Sequence, residues 1–283
     1  MNATQTASGS DYVLSSRDFD RLRKVVYSET GIRLSDQKRD LVYNRVVRRL
    51  RALGLPAFGP YCDMVEGKAS GEIEQLVNAI TTNVTSFFRE RHHFDFLLEE
   101  LLPLISATKR ERRLRVWSAG CSSGEEPYSL AITLAESGIL DRGWDVKVLA
   151  TDIDTDILAR AAEGIYVHSK MEGITADHER RWFLRGSGPN EGSRRVRREI
   201  RELITFRQLN LMGSWPMKGP FDFIFCRNVA IYFDRMTQDR LFRRFWELLD
   251  PQHGHLLIGH SESLATLQDV FKPCGNTIYR RAC

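Results

Sequence analysis

Small residues and carboxylates stand where a strand–loop–helix–strand pattern could bind a nucleotide-like cofactor. The run 114–119 predicts a buried strand, and a loop of small residues, 120–124, follows it. A helix is predicted from Pro127, a residue suited to a first helical turn. A second strand, 146–151, ends on Asp152. Because a small-residue loop lets a ligand approach the backbone and an acidic residue there can hold a ribose diol, this order predicts a cofactor-binding enzyme.

The loop differs from the dinucleotide fingerprint. A pyrophosphate binder needs G-x-G-x-x-G leading into a helix, whereas this chain has Gly120 and Gly124 followed by Glu125 and Glu126. Two carboxylates beside the helix N-terminus would repel a pyrophosphate, so NAD and FAD are disfavoured. They suit a positively charged cofactor without phosphate, such as S-adenosylmethionine. The alternative is that both glutamates only cap the helix and complement its dipole.

A third buried strand, 221–226, ends on Arg227-Asn228-Val229. In a doubly wound sheet this strand end lies beside the first loop, over the reacting group. Enzymes that methylate exocyclic amines of DNA bases carry an Asn/Asp-Pro-Pro-aromatic run at this place, and the chain lacks one. No set of stacking aromatics for base flipping is identifiable either. Both observations weaken a nucleic-acid interpretation.

The composition indicates an ordinary intracellular protein. Of 283 residues, 42% are hydrophobic and 28% charged, and no apolar run reaches the length of about 18–20 residues that a membrane span needs. The first residues are polar and lack the apolar core of a secretion signal. Five scattered cysteines without a CxxC pair disfavour zinc and a disulfide framework. These features predict a cytoplasmic location and no metal.

The periodicity divides the chain into several parts. Residues 1–11 are expected to be a disordered tail, and 12–80 a helical domain with faces such as Phe19, Leu22 and Val26. Residues 81–113 form a linker and helix, and 114–283 an α/β domain. Residues 163–213 are irregular and predict a small inserted subdomain. Its glycine-rich turn, 185–192, is a candidate hairpin tip.

Positive charge clusters on the helix predicted around residues 38–51, although the net charge is only +4. Val42, Val46 and Leu50 share one helical stripe, and most of the basic side chains fall elsewhere on the surface. A second basic run covers 194–198. Such faces are commonly just solvated. The functional alternative is a surface for an acidic partner, either nucleic acid or acidic protein helices.

Four motifs in series resemble the CheR chemotaxis methyltransferases. They are 81–90 (TTNVTSFFRE), 120–129 (GCSSGEEPYS), 150–154 (ATDID) and 225–233 (FCRNVAIYF), and 259–263 (GHSES) also looks like that family. The resemblance covers about residues 12–281. It implies an α/β, Rossmann-like S-adenosylmethionine-dependent methyltransferase core with a small all-helical N-terminal domain and a small inserted β-subdomain. The implied reaction esterifies glutamate side chains of chemoreceptors, giving S-adenosylhomocysteine as product, and the segment 81–113 would contribute to the cofactor site.

The same resemblance implies the site residues. Cofactor contacts would fall on Asn83, Thr85, Arg89, Glu125, Asp152, Asn210, Leu211, Asn228 and Val229. Asn210 and Leu211 rest on the resemblance alone. Without the resemblance, Asn83 and Thr85 would be interpreted as a helix cap at a domain junction, a common use of both residue types. As catalytic residues, Arg89 is expected to orient the incoming carboxylate or close over the cofactor, and Tyr232 to donate a hydrogen bond to that carboxylate. The purely structural alternatives are a surface salt bridge for Arg89 and a packed position at the strand end for Tyr232.

The implied partners are the cytoplasmic signalling helices of chemoreceptors, without nucleic acid or membrane insertion. The basic helix would dock on their acidic surface through Arg45, Arg48, Arg49 and Arg51. Some family members also tether the inserted subdomain to a peptide at the receptor's C-terminus, and the loop with Gly186, Gly188 and Gly192 resembles theirs. The protein would then be recruited from the cytoplasm to membrane receptor arrays. Two other classes stay open: a methyltransferase for a small molecule or nucleic acid, and a catalytically silent module that keeps the fold.

Overall fold

The computed structural model describes residues 12–68 and 71–282. The tail predicted over residues 1–11 lies outside the described residues, as does Cys283. The chain forms two compact units, with the boundary between Thr81 and Thr82. Among the described residues, no helix is both long and apolar enough to cross a bilayer.

The first unit is built from helices whose ends follow the local sequence. They are α1 (Ser16–Thr30), α2 (Arg39–Leu53), α3 (Phe58–Glu66) and α4 (Glu72–Ile80). The side chain of Ser15 accepts a hydrogen bond from the Asp18 N–H and caps α1, while Gly31 ends it in the left-handed conformation. The apolar stripes pack inward, so that Phe19, Leu22 and Val46 are almost fully buried.

The second unit contains the strands and the remaining helices. Its strands are β1 (Arg113–Ala119), β2 (Asp145–Asp152), β3 (Ile165–Val167), β4 (Phe183–Arg185), β5 (Ser193–Val196), β6 (Ile204–Gln208), β7 (Phe223–Cys226), β8 (His255–Ile258), β9 (Phe271–Gly275) and β10 (Ile278–Arg281). Its helices are α5 (His92–Phe96), α6 (Leu102–Thr108), α7 (Glu125–Glu136), α8 (Thr155–Glu163), α9 (Ala176–Trp182), α10 (Arg198–Arg201) and α11 (Arg235–Leu248). A π-helical turn, Leu97–Leu101, joins α5 to α6.

The large sheet has the strand order β6-β2-β1-β7-β8-β10-β9 within the described part of this unit. The strands β6, β2, β1, β7 and β8 are parallel, and β10 runs antiparallel to both of its neighbours. After β1 the chain adds β2 on one side, and β7 later takes the other side. The carboxyl end of β1 therefore lies at the switch point of the sheet, where open α/β folds bind ligands.

The small sheet has the order β3-β5-β4 and is antiparallel. The glycine-rich segment joins β4 to β5 as a hairpin, in the position that the sequence predicted for it. The range predicted for the insertion, 163–213, extends too far, because β6 pairs in parallel with β2 in the large sheet. As an edge strand with only its first residue buried, β6 lacks the continuous apolar run that marks a central strand such as β7.

Candidate active site

The first element of the site is the turn between β1 and α7, residues 120–124, here called the glycine loop. The N–H groups of Gly120 and Cys121 both donate to the Thr151 carbonyl, at 2.8 and 2.9 Å, and tie the loop to the end of β2. Gly120 has a φ of 84°, and a Cβ on it would lie 2.3 Å from Cγ2 of Val229. Only glycine lets these two strand ends approach so closely.

Two carboxylates are buried beside this loop. At the end of β2, Asp152 accepts hydrogen bonds from the N–H groups of Ser122, at 2.8 Å, and Asp154, at 3.1 Å. Glu125, in the first turn of α7, accepts from the Ser123 hydroxyl at 2.6 Å. Burial is the largest influence on both carboxyls and raises the pKa of each. Both are therefore desolvated acids that a positively charged or hydroxyl-bearing ligand would stabilise.

Glu126 behaves differently from its neighbour, which corrects the expectation that both glutamates face a cofactor. Its Oε2 accepts from Nε of Arg227 at 2.8 Å, and its Oε1 accepts from the Ser118 hydroxyl at 2.7 Å. Arg227 thus compensates the negative charge of Glu126 inside the protein. Within the described part of the chain, the Glu125 carboxylate has no such arginine partner.

The second element, residues 227–230, follows β7 and is here called the Asn228 loop. Asn228 has a φ of 58°, an uncommon conformation for a residue other than glycine. Glu262 holds the loop, because its buried carboxylate accepts hydrogen bonds from the N–H groups of Asn228, Val229 and Ala230. A 3₁₀ turn, Ala230–Tyr232, comes next and places Tyr232 half-buried at the end of the loop.

The third element follows β6, at the same edge of the sheet. The Leu209 N–H donates to the Asp152 carbonyl at 2.9 Å, so this chain segment continues alongside the end of β2. Oδ1 of Asn210 accepts from the Met212 N–H at 2.9 Å. Leu211 is buried, and its carbonyl accepts from Arg244 at 2.7 Å. The parallel strands therefore bring Asn210 and Leu211 to the edge that holds Asp152.

The fourth element is the segment 83–90, which precedes the sheet in sequence. Nδ2 of Asn83 donates to Oδ2 of Asp154 at 2.8 Å, two residues beyond Asp152. The Phe88 N–H donates to the Ser129 hydroxyl of α7 at 2.9 Å. Thr85 and Arg89 are half-buried, and the Arg89 guanidinium donates to the Val84 carbonyl at 3.1 Å. Asn83 thus contacts the acidic end of β2, whereas the Arg89 side chain bonds within its own segment.

A buried cluster of Arg227, Glu90, Glu126 and His93, here called the Arg227 cluster, holds that segment. Nη1 of Arg227 donates to the Arg89 carbonyl at 2.5 Å and contacts Nδ1 of His93 at 3.0 Å. Burial lowers the pKa of His93 to about 3, so the ring is neutral at neutral pH, and its Nδ1 is the acceptor because the Arg227 guanidinium can only donate. Oε2 of Glu90 lies 3.7 Å from Nη1 of Arg227.

Sequence reasoning missed both the Arg227 cluster and Glu262. Arg227 lies in the motif 225–233 and Glu262 in 259–263, but nothing in the local sequence marks either charged side chain as buried. Their partners lie far along the chain: Arg227 and Glu126 are 101 residues apart. The one local signal was that Arg227 directly follows the apolar run of β7.

The residues predicted to contact a receptor fall into two groups in the first unit. Arg48 and Arg51 are exposed on α2. Arg49 instead forms two hydrogen bonds with the Glu72 carboxylate, at 3.0 and 2.8 Å, and Arg45 donates to the carbonyls of Ala79 and Thr81. Half of the predicted docking set is therefore occupied with intramolecular bonds.

The glycines of the β4–β5 loop have a conformational role. Gly188 and Gly192 adopt positive φ, at 56° and 80°. A Cβ on Gly186 would lie 2.0 Å from the Asn190 carbonyl oxygen. These glycines are needed for the hairpin turn itself, whatever the hairpin binds.

Two family models match the chain almost from end to end. Residues 83–280 match the family described as CheR methyltransferase, SAM binding domain. Residues 17–81 match CheR methyltransferase, all-alpha domain. Together they confirm the predicted fold class.

Curated relatives agree with these matches. A chemotaxis protein methyltransferase of Escherichia coli (strain K12) is 47% identical over 269 residues, 94% of this chain and 91% of the relative. Its counterpart in Salmonella typhimurium (strain LT2) is 48% identical, over 94% of this chain and 90% of the relative. Chemotaxis protein methyltransferase 2 of Pseudomonas aeruginosa is 44% identical over 274 residues, 96% of this chain and 95% of the relative.

Proposed function

The chain belongs to the CheR chemotaxis methyltransferases, and on that premise we propose that it methylates glutamate side chains of chemoreceptors. The methyl donor is S-adenosylmethionine, and the products are a glutamate methyl ester and S-adenosylhomocysteine. The observation that carries the proposal is the pair of desolvated carboxylates, Glu125 and Asp152, at the switch point of the sheet.

The residues at this edge fit such a cofactor. Asp152 is suited to the ribose hydroxyls, and Glu125 to a positively charged group. Within the described residues, the Ser122 hydroxyl is buried without a hydrogen-bond partner, which leaves a polar atom in the glycine loop for a ligand. S-Adenosylmethionine, when bound, supplies a methyl group activated by the adjacent sulfonium.

The acceptor needs no general base. A glutamate side chain has a reference pKa of about 4.3 and is already ionised at neutral pH. The protein therefore contributes mainly alignment, by holding the carboxylate oxygen in line with the methyl carbon at about 3–3.5 Å. We assign Arg89 to orienting that carboxylate or closing over the cofactor, and Tyr232 to donating a hydrogen bond to it.

Receptor docking is assigned to two surfaces. On α2, Arg48 and Arg51 are exposed, whereas Arg45 and Arg49 are held by intramolecular bonds. The two exposed arginines would face the acidic signalling helices. On the small sheet, a peptide from the receptor's C-terminus would add a strand at an edge, a common mode of peptide recognition. Both contacts would recruit the protein from the cytoplasm to receptor arrays.

The test is methyl transfer from radiolabelled S-adenosylmethionine into membranes that contain chemoreceptors, followed by treatment with alkali. We expect label on receptor-sized protein that alkali releases as methanol, because carboxyl methyl esters are hydrolysed by base. The variant Asp152→Asn serves as a control that should give much less label when S-adenosylmethionine is kept at low concentration. Label that resists alkali would contradict ester formation and favour N-methylation. Cofactor binding without any transfer would favour a silent binding module.

A further inference from the structure

One carboxylate gathers four backbone hydrogen bonds beside the proposed cofactor site. Glu262 is buried, and its Oε1 accepts from Val229 at 3.0 Å and from Ala230 at 2.7 Å. Its Oε2 accepts from Asn228 at 3.1 Å and from Gly259 at 2.6 Å. A single side chain, carried by the segment after β8, thus saturates three consecutive donors of the segment after β7.

These bonds fix the conformation of the Asn228 loop. Asn228 is held at positive φ, and its side-chain Nδ2 lies where a Cβ on Gly259 would be only 2.5 Å away. The next residue, Val229, lies directly against Gly120 of the glycine loop. Through the backbone of the Asn228 loop, Glu262 therefore fixes the contact between Val229 and Gly120.

We infer that Glu262 is a positioning residue for the cofactor. It acts through the Asn228 loop, holding Asn228 at positive φ and Val229 against Gly120 of the glycine loop, so that a bound cofactor meets both loops in one fixed geometry. This role rests on the proposed function, since it assumes that S-adenosylmethionine binds at this switch point. The competing view is that Glu262 only stabilises the fold, as a buried hydrogen-bonded carboxylate can.

The test compares two buried carboxylates at opposite ends of β7. Glu262→Gln keeps the volume but leaves one pair of N–H donors facing an amide NH₂ group. The matched control is Asp222→Asn, just before the amino end of β7, where the fully buried Asp222 carboxylate accepts from the Arg115 N–H and pairs with Lys109. Both variants should lower the melting temperature, so thermal denaturation serves to match their losses of stability.

Binding of S-adenosylhomocysteine, measured by isothermal titration calorimetry well below the melting temperature, separates the two views. We expect Glu262→Gln to bind about tenfold more weakly, equivalent to about 1.4 kcal/mol, and Asp222→Asn to bind like the wild type. In methylation assays, Glu262→Gln should raise the KM for S-adenosylmethionine and leave the KM for receptor membranes unchanged.

Two further variants keep the inference testable if Glu262→Gln fails to fold. Glu262→Asp retains the charge on a shorter stem, and its affinity should lie between those of Glu262→Gln and the wild type. Gly259→Ala leaves Glu262 intact but pushes on Asn228, and it should weaken cofactor binding in the same way. Equal affinity in the wild type and in every Glu262 and Gly259 variant that folds would overturn the positioning role alone. A wild-type protein that binds no S-adenosylhomocysteine would overturn the proposed function, and this role with it.

Discussion

Replacing Arg227 with methionine is expected to destabilise the second unit by about 3–5 kcal/mol, the usual cost of leaving a buried ion without its partner. The Arg227 side chain is only 2% exposed, and its partner Glu126 is 8% exposed. Methionine fills much of the volume but donates no hydrogen bond. The Glu126 carboxylate would lose its arginine, and the Arg89 carbonyl would lose a donor.

The structure supplies a second variant that checks this reasoning. Glu126→Gln removes the charge that Arg227→Met leaves uncompensated. The double variant should therefore be less destabilised than the sum of the two single ones, with a coupling of at least about 1 kcal/mol. If the loss of stability in the double variant equalled the sum of the two single losses, Glu126 and Arg227 would not stabilise each other.

Tryptophan fluorescence during urea unfolding is a suitable assay. All five tryptophans of the chain, Trp117, Trp144, Trp182, Trp215 and Trp246, lie in the second unit, so the signal reports that unit alone. The control Arg227→Lys keeps a positive charge but not the planar fork of donors, and its loss should be smaller than that of Arg227→Met. A loss below about 1 kcal/mol for Arg227→Met would refute the claim that this arginine compensates buried charge.

Three further outcomes are expected. The pKa of His93 falls to about 3 in the folded state, so between about pH 6.5 and 3 only the unfolded chain binds a proton at this residue. His93 therefore lowers the free energy of unfolding as the pH falls through that window. Urea unfolding should show a flatter pH dependence for His93→Gln than for the wild type. Arg48→Glu combined with Arg51→Glu should raise the KM for receptor membranes, most strongly at low salt, whereas Arg17→Glu combined with Lys24→Glu, an equal charge change at exposed positions of α1, should not. Asp152→Asn should lower the melting temperature, because one of the N–H donors of Ser122 and Asp154 then faces an amide NH₂ group. Well below that temperature it should weaken S-adenosylhomocysteine binding at least about tenfold in calorimetry, and normal affinity would exclude Asp152 as a cofactor ligand.

The sequence predicted the parts of the fold that depend on local pattern. The central strand β7 is a continuous apolar run because both of its faces are buried, and β1 is buried over its last four residues. Asp152 could be placed because a parallel strand ends where its apolar run ends. The edge strand β6 has no such run, which is why its residues were assigned to the insertion. The individual cofactor contacts stay predictions.

The buried charges could not be predicted in the same way. Arg227 and Glu262 are residue types that are almost always exposed, and burial becomes favourable only when distant segments supply their partners. The basic stripe on α2 shows the reverse case. All four arginines looked like one surface in the sequence, but Arg45 and Arg49 bond to groups more than 20 residues away and only Arg48 and Arg51 remain exposed.

The long sequence separations within the Arg227 cluster have a consequence for folding kinetics. Arg227 bonds to residues 101, 134 and 138 positions earlier in the chain. Contacts of this kind close loops about as long as the loop closed by the pairing of β1 with β7, so we expect them to form together with the central sheet and not within one local segment. Because Arg227 also bonds to the Arg89 carbonyl, docking of the segment 83–90 depends on that assembly. We therefore expect this segment, although it precedes the sheet in sequence, to fold cooperatively with β7.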